Sequence, residues 1–346
     1  MRILTLVSLS ALFFNCQVTG PDSVIEELTW TIDTEYMRQG CYGGRDCIPS
    51  LERPSWSEVG GSSTSYLSDN DLVVGIWNGT EHIAYPHNIL DWHEVINEDG
   101  YTISYCPLTG SAINIASETD YGVSGLLYNS NLIMYDRASD SYWPQMLLRS
   151  AAGDLSGNEL HLNNVVETTW GTWKKLYPAT KVINSNTGYS RNYTTYPYGN
   201  YKDCNSASCR DYIYFPVTSD DDRLPAKKRV LALINGEEVK ALDISTFTEP
   251  TSLTVTVNGK RHLAFISAND NIAVAFETIR KISIETWNVE TGEIILKDSA
   301  SDNRWDITGQ NLADSSSSAR LKAANGYIAY WFSLAAFYPQ TEIITG

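Results

Sequence analysis

Ionisable and nucleophilic side chains crowd one stretch of this chain. Ala84-Tyr85-Pro86-His87-Asn88-Ile89-Leu90-Asp91-Trp92-His93-Glu94 carries two imidazoles and two carboxyls, and after a turn at Glu98-Asp99-Gly100 a strand leads into Tyr105-Cys106-Pro107-Leu108-Thr109-Gly110. Three chemistries fit these residue types. Cys106 and His93, with His87, offer the thiolate and imidazole donors that suit copper or zinc, and Met134 is a weak further ligand. Alternatively Cys106 is a nucleophile, His93 its base and Asp91 or Glu94 the group that orients the imidazole, with backbone amides around Gly110 to Ala112 facing a developing oxyanion. The third reading is a surface binding or assembly module, in which Cys106 is a buried small apolar residue and His93 a satisfied core histidine.

Other chemistry-bearing residues have plainer roles. Arg137, between Tyr135-Asp136 and Asp140, reads as a charge pair fixing a turn or as an anion ligand. His82 and His161 alternate with apolar residues on expected strands and are expected to face solvent. The tyrosines between Tyr189 and Tyr201 could pack structurally or line a sugar-binding groove.

The elements that must position these groups follow from composition and repetition. The 346 residues are 42% hydrophobic and 19% charged. That balance, with plentiful Trp, Tyr, Thr and Val, favours strands and two domains of ordinary size. The formal charge of −16 excludes nucleic acid and bare anionic membrane surfaces as partners. Met1-Arg2 followed by an apolar run from Ile3 to Phe14 has the layout of a secretory signal, too short to span a bilayer. Leu12-Phe13-Phe14-Asn15-Cys16 resembles a lipobox, so residues 1–16 are expected to direct export and Cys16 to carry a lipid anchor. The resulting location is the periplasm or cell surface. Cys41, Cys47, Cys106, Cys204 and Cys209 then remain, an odd number in an oxidising compartment. The close spacings suggest local bridges Cys41 to Cys47 and Cys204 to Cys209, leaving Cys106 free. Connectivity does not follow from sequence alone, and a long-range bridge from Cys106 stays open.

An internal repeat organises the chain. Val73, Asn78, Gly79, Glu81 and Ala84 recur as Val230, Asn235, Gly236, Glu238 and Ala241, each displaced by 157 positions, and both stretches read as hairpins with an Asn-Gly type I′ turn. Asp136, Asp140 and Trp143 recur as Asp298, Asp302 and Trp305, and Tyr177-Pro178 recurs as Tyr338-Pro339. Each copy is expected to end in a short helix, around Trp170 and Trp173 or Trp331 and Phe332, before a closing strand. The expected organisation is an extension at 17–69, a first copy at 70–185, a Tyr-rich connecting segment at 186–225 and a degenerate second copy at 226–346. The fold class is mainly β (α+β), an internally duplicated β-rich unit with short helices. In the second copy His87, Asp91 and His93 are replaced by Ile244, Thr248 and Pro250, and Tyr105-Cys106 by about Phe265-Ile266. The scaffold repeats while the reactive groups do not, which favours a functional role for them.

These motifs, together with Gly122-Val123-Ser124-Gly125-Leu126-Leu127-Tyr128-Asn129-Ser130, Tyr135-Asp136-Arg137 and Asp221-Asp222-Arg223-Leu224-Pro225, resemble an exported prokaryotic family known only as a domain of unknown function, DUF3179. The resemblance runs from about Asp46 to the C-terminus and implies no activity. Its members show Cys-Pro-Leu-Cys or Cys-Pro-Leu-Thr, and Thr109 here removes a two-thiol redox or zinc-knuckle site. Cys47 stands where the family usually has Gly, which supports the Cys41 to Cys47 bridge as a feature of this chain. The metal reading makes a direct prediction: protein purified without chelator holds near one equivalent of copper or zinc by elemental analysis, lost in Cys106→Ser and His93→Ala. No metal, even after reloading, would leave a buried or reactive thiol.

Overall fold

A computed structural model describes residue 25 and residues 27–202, 211–314 and 319–346. The signal and lipidation assignments ending at Cys16, and the Cys204 to Cys209 bridge, lie outside the described residues. The chain is mainly β, with three seven-residue α-helices among the elements. In the first copy these are β1 (Leu72–Trp77), β2 (His82–Pro86), α1 (His87–His93), β3 (Val95–Glu98), β4 (Tyr101–Cys106), β5 (Ser111–Ala116), β6 (Tyr121–Tyr128), β7 (Asn131–Asp136), β8 (Val166–Thr169), α2 (Trp170–Leu176) and β9 (Lys181–Ile183). The second copy follows with β10 (Arg229–Asn235), β11 (Glu238–Asp243), β12 (Thr251–Val257), β13 (Lys260–Ser267), β14 (Ile272–Glu277), β15 (Ile282–Asn288), β16 (Glu293–Asp298), β17 (Gly326–Tyr330), α3 (Trp331–Phe337) and β18 (Glu342–Ile344).

The two halves share sheet order and pairing. In the first, β8-β1-β2-β9 are neighbours, with β9 parallel to β2 and the other pairs antiparallel. In the second, β17-β10-β11-β18 repeat this, with β18 parallel to β11. The meander β3-β4-β5 ends on Leu162–Asn163, and β12-β13-β14 ends on Lys322–Ala323. In each copy a helix carries the chain from the outer strand back to the closing strand, as parallel pairing requires. Thr169 caps α2, accepting a hydrogen bond from the Thr172 amide.

The halves differ in what covers them. β12 alternates buried and exposed positions toward its end and β15 is buried only at Ile282, whereas β4 to β7 are buried along nearly their whole length. A strand covered on both faces needs apolar or internally satisfied side chains throughout, and the polar residues here are paired. Ser111 donates to Gln145 Oε1, whose amide nitrogen donates to Ser104, and Asn131 donates to Thr109 and Gln145. The covering pieces are the extension, the connecting segment and the second copy.

Three local expectations are resolved. The Cys41–Cys47 disulfide is present and Cys106 is a free, buried thiol. In both hairpins the glycine, and not the asparagine, has positive φ, 117° at Gly79 and 65° at Gly236. Asn235 pairs with Glu238, so the second hairpin's two loop residues are Gly236 and Glu237, with positive φ only at the first. That is the type II′ pattern in place of the expected type I′. His82 does not face solvent: its ring stacks on Tyr177 at 3.6 Å and Nε2 lies 2.9 Å from Asp306 of the second copy.

Gly75 on β1 makes room for the fully buried Trp173 ring of α2. A Cβ there would stand 2.2 Å from ring atom Cζ3. Gly75→Ala is expected to lower unfolding free energy by about 1–3 kcal/mol through overpacking, measured by chemical denaturation. An unchanged midpoint would mean that α2 is not held as described.

Candidate functional site

The reactive residues of α1 and β4 are distributed by the geometry of their own elements. On a helix, residues four apart share a face, and those six apart lie about 120° around from each other. His87 and Asp91 therefore point together, and His93 points elsewhere. On a strand, successive side chains face opposite ways, so Tyr105 and Cys106 cannot share a side.

His87, Asp91 and Tyr105 line a polar cavity of about 590 Å³ walled by both copies and the connecting segment. His87 packs its ring on Tyr105 with centroids 4.3 Å apart, and its Nε2 is 3.4 Å from Glu167 Oε2 of β8. Burial is the main cause that drives the His87 imidazole down to about 3, so it is neutral. Glu167, only 2% exposed, is ion-paired with Arg229 at the start of β10. The Arg229 guanidinium also donates to Asn271 Oδ1 at 3.0 Å. Burial lowers its pKa. A second pair closes another wall, where Lys202 lies 2.8 Å from Asp91 Oδ2 and 4.2 Å over the Tyr196 ring. Tyr196 also lines the cavity, and its hydroxyl is buried without a hydrogen-bond partner among the described residues.

His93 is held at both ring nitrogens. Its Nδ1 is 2.8 Å from the Pro49 carbonyl and its Nε2 2.8 Å from the Tyr193 hydroxyl. A carbonyl only accepts, so Nδ1 carries the proton and Nε2 accepts from Tyr193. Burial pushes this imidazole down to about 4. The ring thereby ties the extension and the connecting segment to the first copy.

Cys106 faces the apolar core with Leu108, Leu132 and Met134. Its thiol donates to the Ser130 carbonyl across a long 3.9 Å, and burial, with Glu94 adding, pushes it up to about 11. Among the described residues no hydrogen bond joins Cys106 to a histidine, and no group of three His, Cys, Asp or Glu side chains is placed to hold a metal ion. Arg137 pairs with Asp46 at 2.7 Å and tethers the disulfide loop to β7. Gly110, Thr194 and Thr195 complete part of the cavity wall.

Glu167, Arg229 and Lys202 were not among the sequence candidates, whereas Tyr196 belongs to the tyrosine run read as structural packing or as a sugar-binding groove. A signal existed for two of them. Arg229 pairs with Tyr330 where Leu72 pairs with Thr169, and Glu167 pairs with Val74 where Ile328 pairs with Leu231. An apolar position in each copy thus becomes charged in the other, with opposite signs.

The family of proteins of unknown function DUF3179 matches residues 45–341. No curated protein and no solved structure matches the chain.

Two opposing proton linkages follow. His87 and His93 have folded pKa values, about 3 and about 4, below the ordinary 6.5, so the unfolded chain binds more protons and their contribution to stability is lost as pH falls below 6.5. Glu94 and Glu98 are raised by burial from 4.5 to about 7, so the folded chain binds more protons between 4.5 and 7 and gains stability as pH falls through that window. The wild type is expected to change little between pH 6.5 and 4.5. Glu94→Gln is expected to be the more stable protein at pH 8 and to lose that advantage by pH 5 in thermal melts. A constant difference would contradict the burial of an ionisable Glu94.

Proposed function

Taking as premise that this chain belongs to the DUF3179 family, we propose that it is an exported binding module whose polar cavity takes a small, uncharged, hydroxyl-rich molecule of the sugar type. One observation carries the reading: the cavity wall holds both signs of charge in balance. Asp71, Asp91 and Glu167 stand against Lys202, Lys227 and Arg229. A site for a bare anion or a metal cation needs an unbalanced wall, whereas paired carboxylates and cations present fixed acceptors and donors to hydroxyl groups without net attraction for an ion. Tyr105, Tyr196 and Tyr330 add ring faces for the apolar side of such a ligand, and the buried Tyr196 hydroxyl supplies a polar group with no partner among the described residues to give up.

Export and anchoring through Cys16 belong to the same proposal, supported by the signal-like leader and by the family resemblance. Under this reading His93 and Cys106 are structural. A copper or zinc ion, or a thiolate attack, would require His93 to surrender one of two good hydrogen bonds and the Cys106 thiol to ionise in an apolar core.

Titration calorimetry of the signal-free chain against glucose, galactose, N-acetylglucosamine and their short oligomers is expected to give saturable binding, with inorganic phosphate and citrate silent. Tyr196→Phe is expected to weaken that binding about three- to tenfold, the worth of about one neutral hydrogen bond, without lowering the melting temperature. Binding of the anions in place of the sugars would overturn the assignment.

A further inference from the structure

On the opposite face of β4 from the polar cavity lies a second cavity, of about 260 Å³. Its walls are Ile48, Leu108, Val123, Leu127 and Leu132, with Phe215 from the connecting segment. Among these apolar side chains stands one carboxyl, that of Glu94, itself 5% exposed. Tyr198 donates to Glu94 Oε1 at 2.6 Å, and no lysine, arginine or histidine forms an ion pair with Glu94 among the described residues.

That combination is expensive. A carboxyl removed from water needs a cation or several hydrogen bonds, and a single tyrosine supplies neither in full. The backbone adds to the cost: Glu94 caps α1 with φ of 57°, a left-handed conformation that a side chain other than glycine or asparagine enters rarely. In the second copy the same offset of 157 positions puts Thr251 there, in an extended strand. The scaffold therefore does not need a carboxyl or a left-handed turn at this place.

We propose that this apolar cavity is a second binding site, for a small aliphatic molecule carrying one protonated amine, with the amine paired to Glu94 and the chain lying between Leu108, Leu127 and Leu132. Charge complementarity selects the occupant, because an ammonium group supplies the cation that the described residues do not place beside Glu94, while a carboxylate would meet a like charge. The rim supports a preformed site. Gly125, with φ of 83°, lets the backbone of Gly44 approach so closely that a Cβ would stand 2.6 Å from its carbonyl oxygen, which seats the Cys41–Cys47 loop over the edge. The buried environment that pushes Glu94 up to about 7 is the same one that would strengthen its pairing with an amine.

Hexylamine, hexan-1-ol and hexanoate, titrated against the signal-free chain at pH 8 by calorimetry, separate charge from chain. Hexylamine is expected to bind at least about tenfold more tightly than hexanoate, as one charge-assisted hydrogen bond implies. Glu94→Gln should reduce hexylamine to the affinity of hexan-1-ol, and Ile48→Phe, which fills the wall, should weaken both. In the unmutated protein, intermolecular NOEs from the hexylamine methyl to Val123 and Leu132 methyls locate the site without relying on a variant. Equal binding of amine and carboxylate, NOEs elsewhere, or no binding at all would overturn the proposal. None of these outcomes bears on the polar cavity, whose ligand is read by Tyr196→Phe.

Discussion

The buried ion pair between Glu167 and Arg229 is the interaction on which the arrangement of the polar cavity depends. It joins β8 of the first copy to β10 of the second, and each partner makes a further contact that shapes the wall, Glu167 with His87 and Arg229 with Asn271. Such a pair is a poor source of net stability, because desolvation offsets its attraction, yet removing one partner strands a buried charge at a cost of about 3–5 kcal/mol. The consequence is specificity of docking. The copies can meet in the register that brings the two charges together, and that register also encloses His87, Asp91 and Tyr105. The second copy, which lacks the reactive residues of α1, contributes Arg229, Asn271 and Tyr330 to the site.

Simple geometry then divides one motif among three tasks. The i, i+4 spacing sends His87 and Asp91 into the polar cavity, while His93 turns away to hold Pro49 and Tyr193. The alternation of β4 sends Tyr105 to the polar side and Cys106 to the apolar side, where Glu94 also lies. Residues adjacent in sequence thus sit in environments of opposite character. The imidazoles are held neutral and the thiol protonated by the same cause, loss of water around the charged form.

The class of fold was legible because its signals are local or repeated: Asn-Gly hairpins, alternating apolar residues, and Trp-rich segments before Tyr-Pro. The Cys41–Cys47 bridge was legible from spacing in a Gly-rich loop. The turn type was not, because a positive φ is set at Gly79 and Gly236 by strand pairing and not by the dipeptide. At the site, His87 and Asp91 stood out by comparison with Ile244 and Thr248. His93 and Cys106 both turn away from the polar cavity, and their hydrogen-bond partners, Pro49 and Tyr193 for the one and Ser130 for the other, could not be read from sequence spacing. Glu167 and Arg229 remained hidden because each reads as an ordinary strand residue, Glu167 between Val166 and two threonines and Arg229 at the edge of an apolar run. The repeat offsets align Arg229 with Leu72 and Glu167 with Ile328 in the sequence, but only the pairing register shows that the two charges lie on neighbouring, equivalent strand pairs.

The central claim is that the functional surface is the cavity bounded by His87, Asp91 and the Glu167–Arg229 pair, with His93 and Cys106 serving the fold. Nitrogen-15 NMR of the imidazoles at pH 7, recorded with and without a mixture of neutral sugars, tests it most directly. The account predicts two neutral tautomers, with His87 resonances moving on addition of ligand and those of His93 unmoved. Movement of His93 with His87 unchanged, or a His93 that titrates near 6.5, would contradict it.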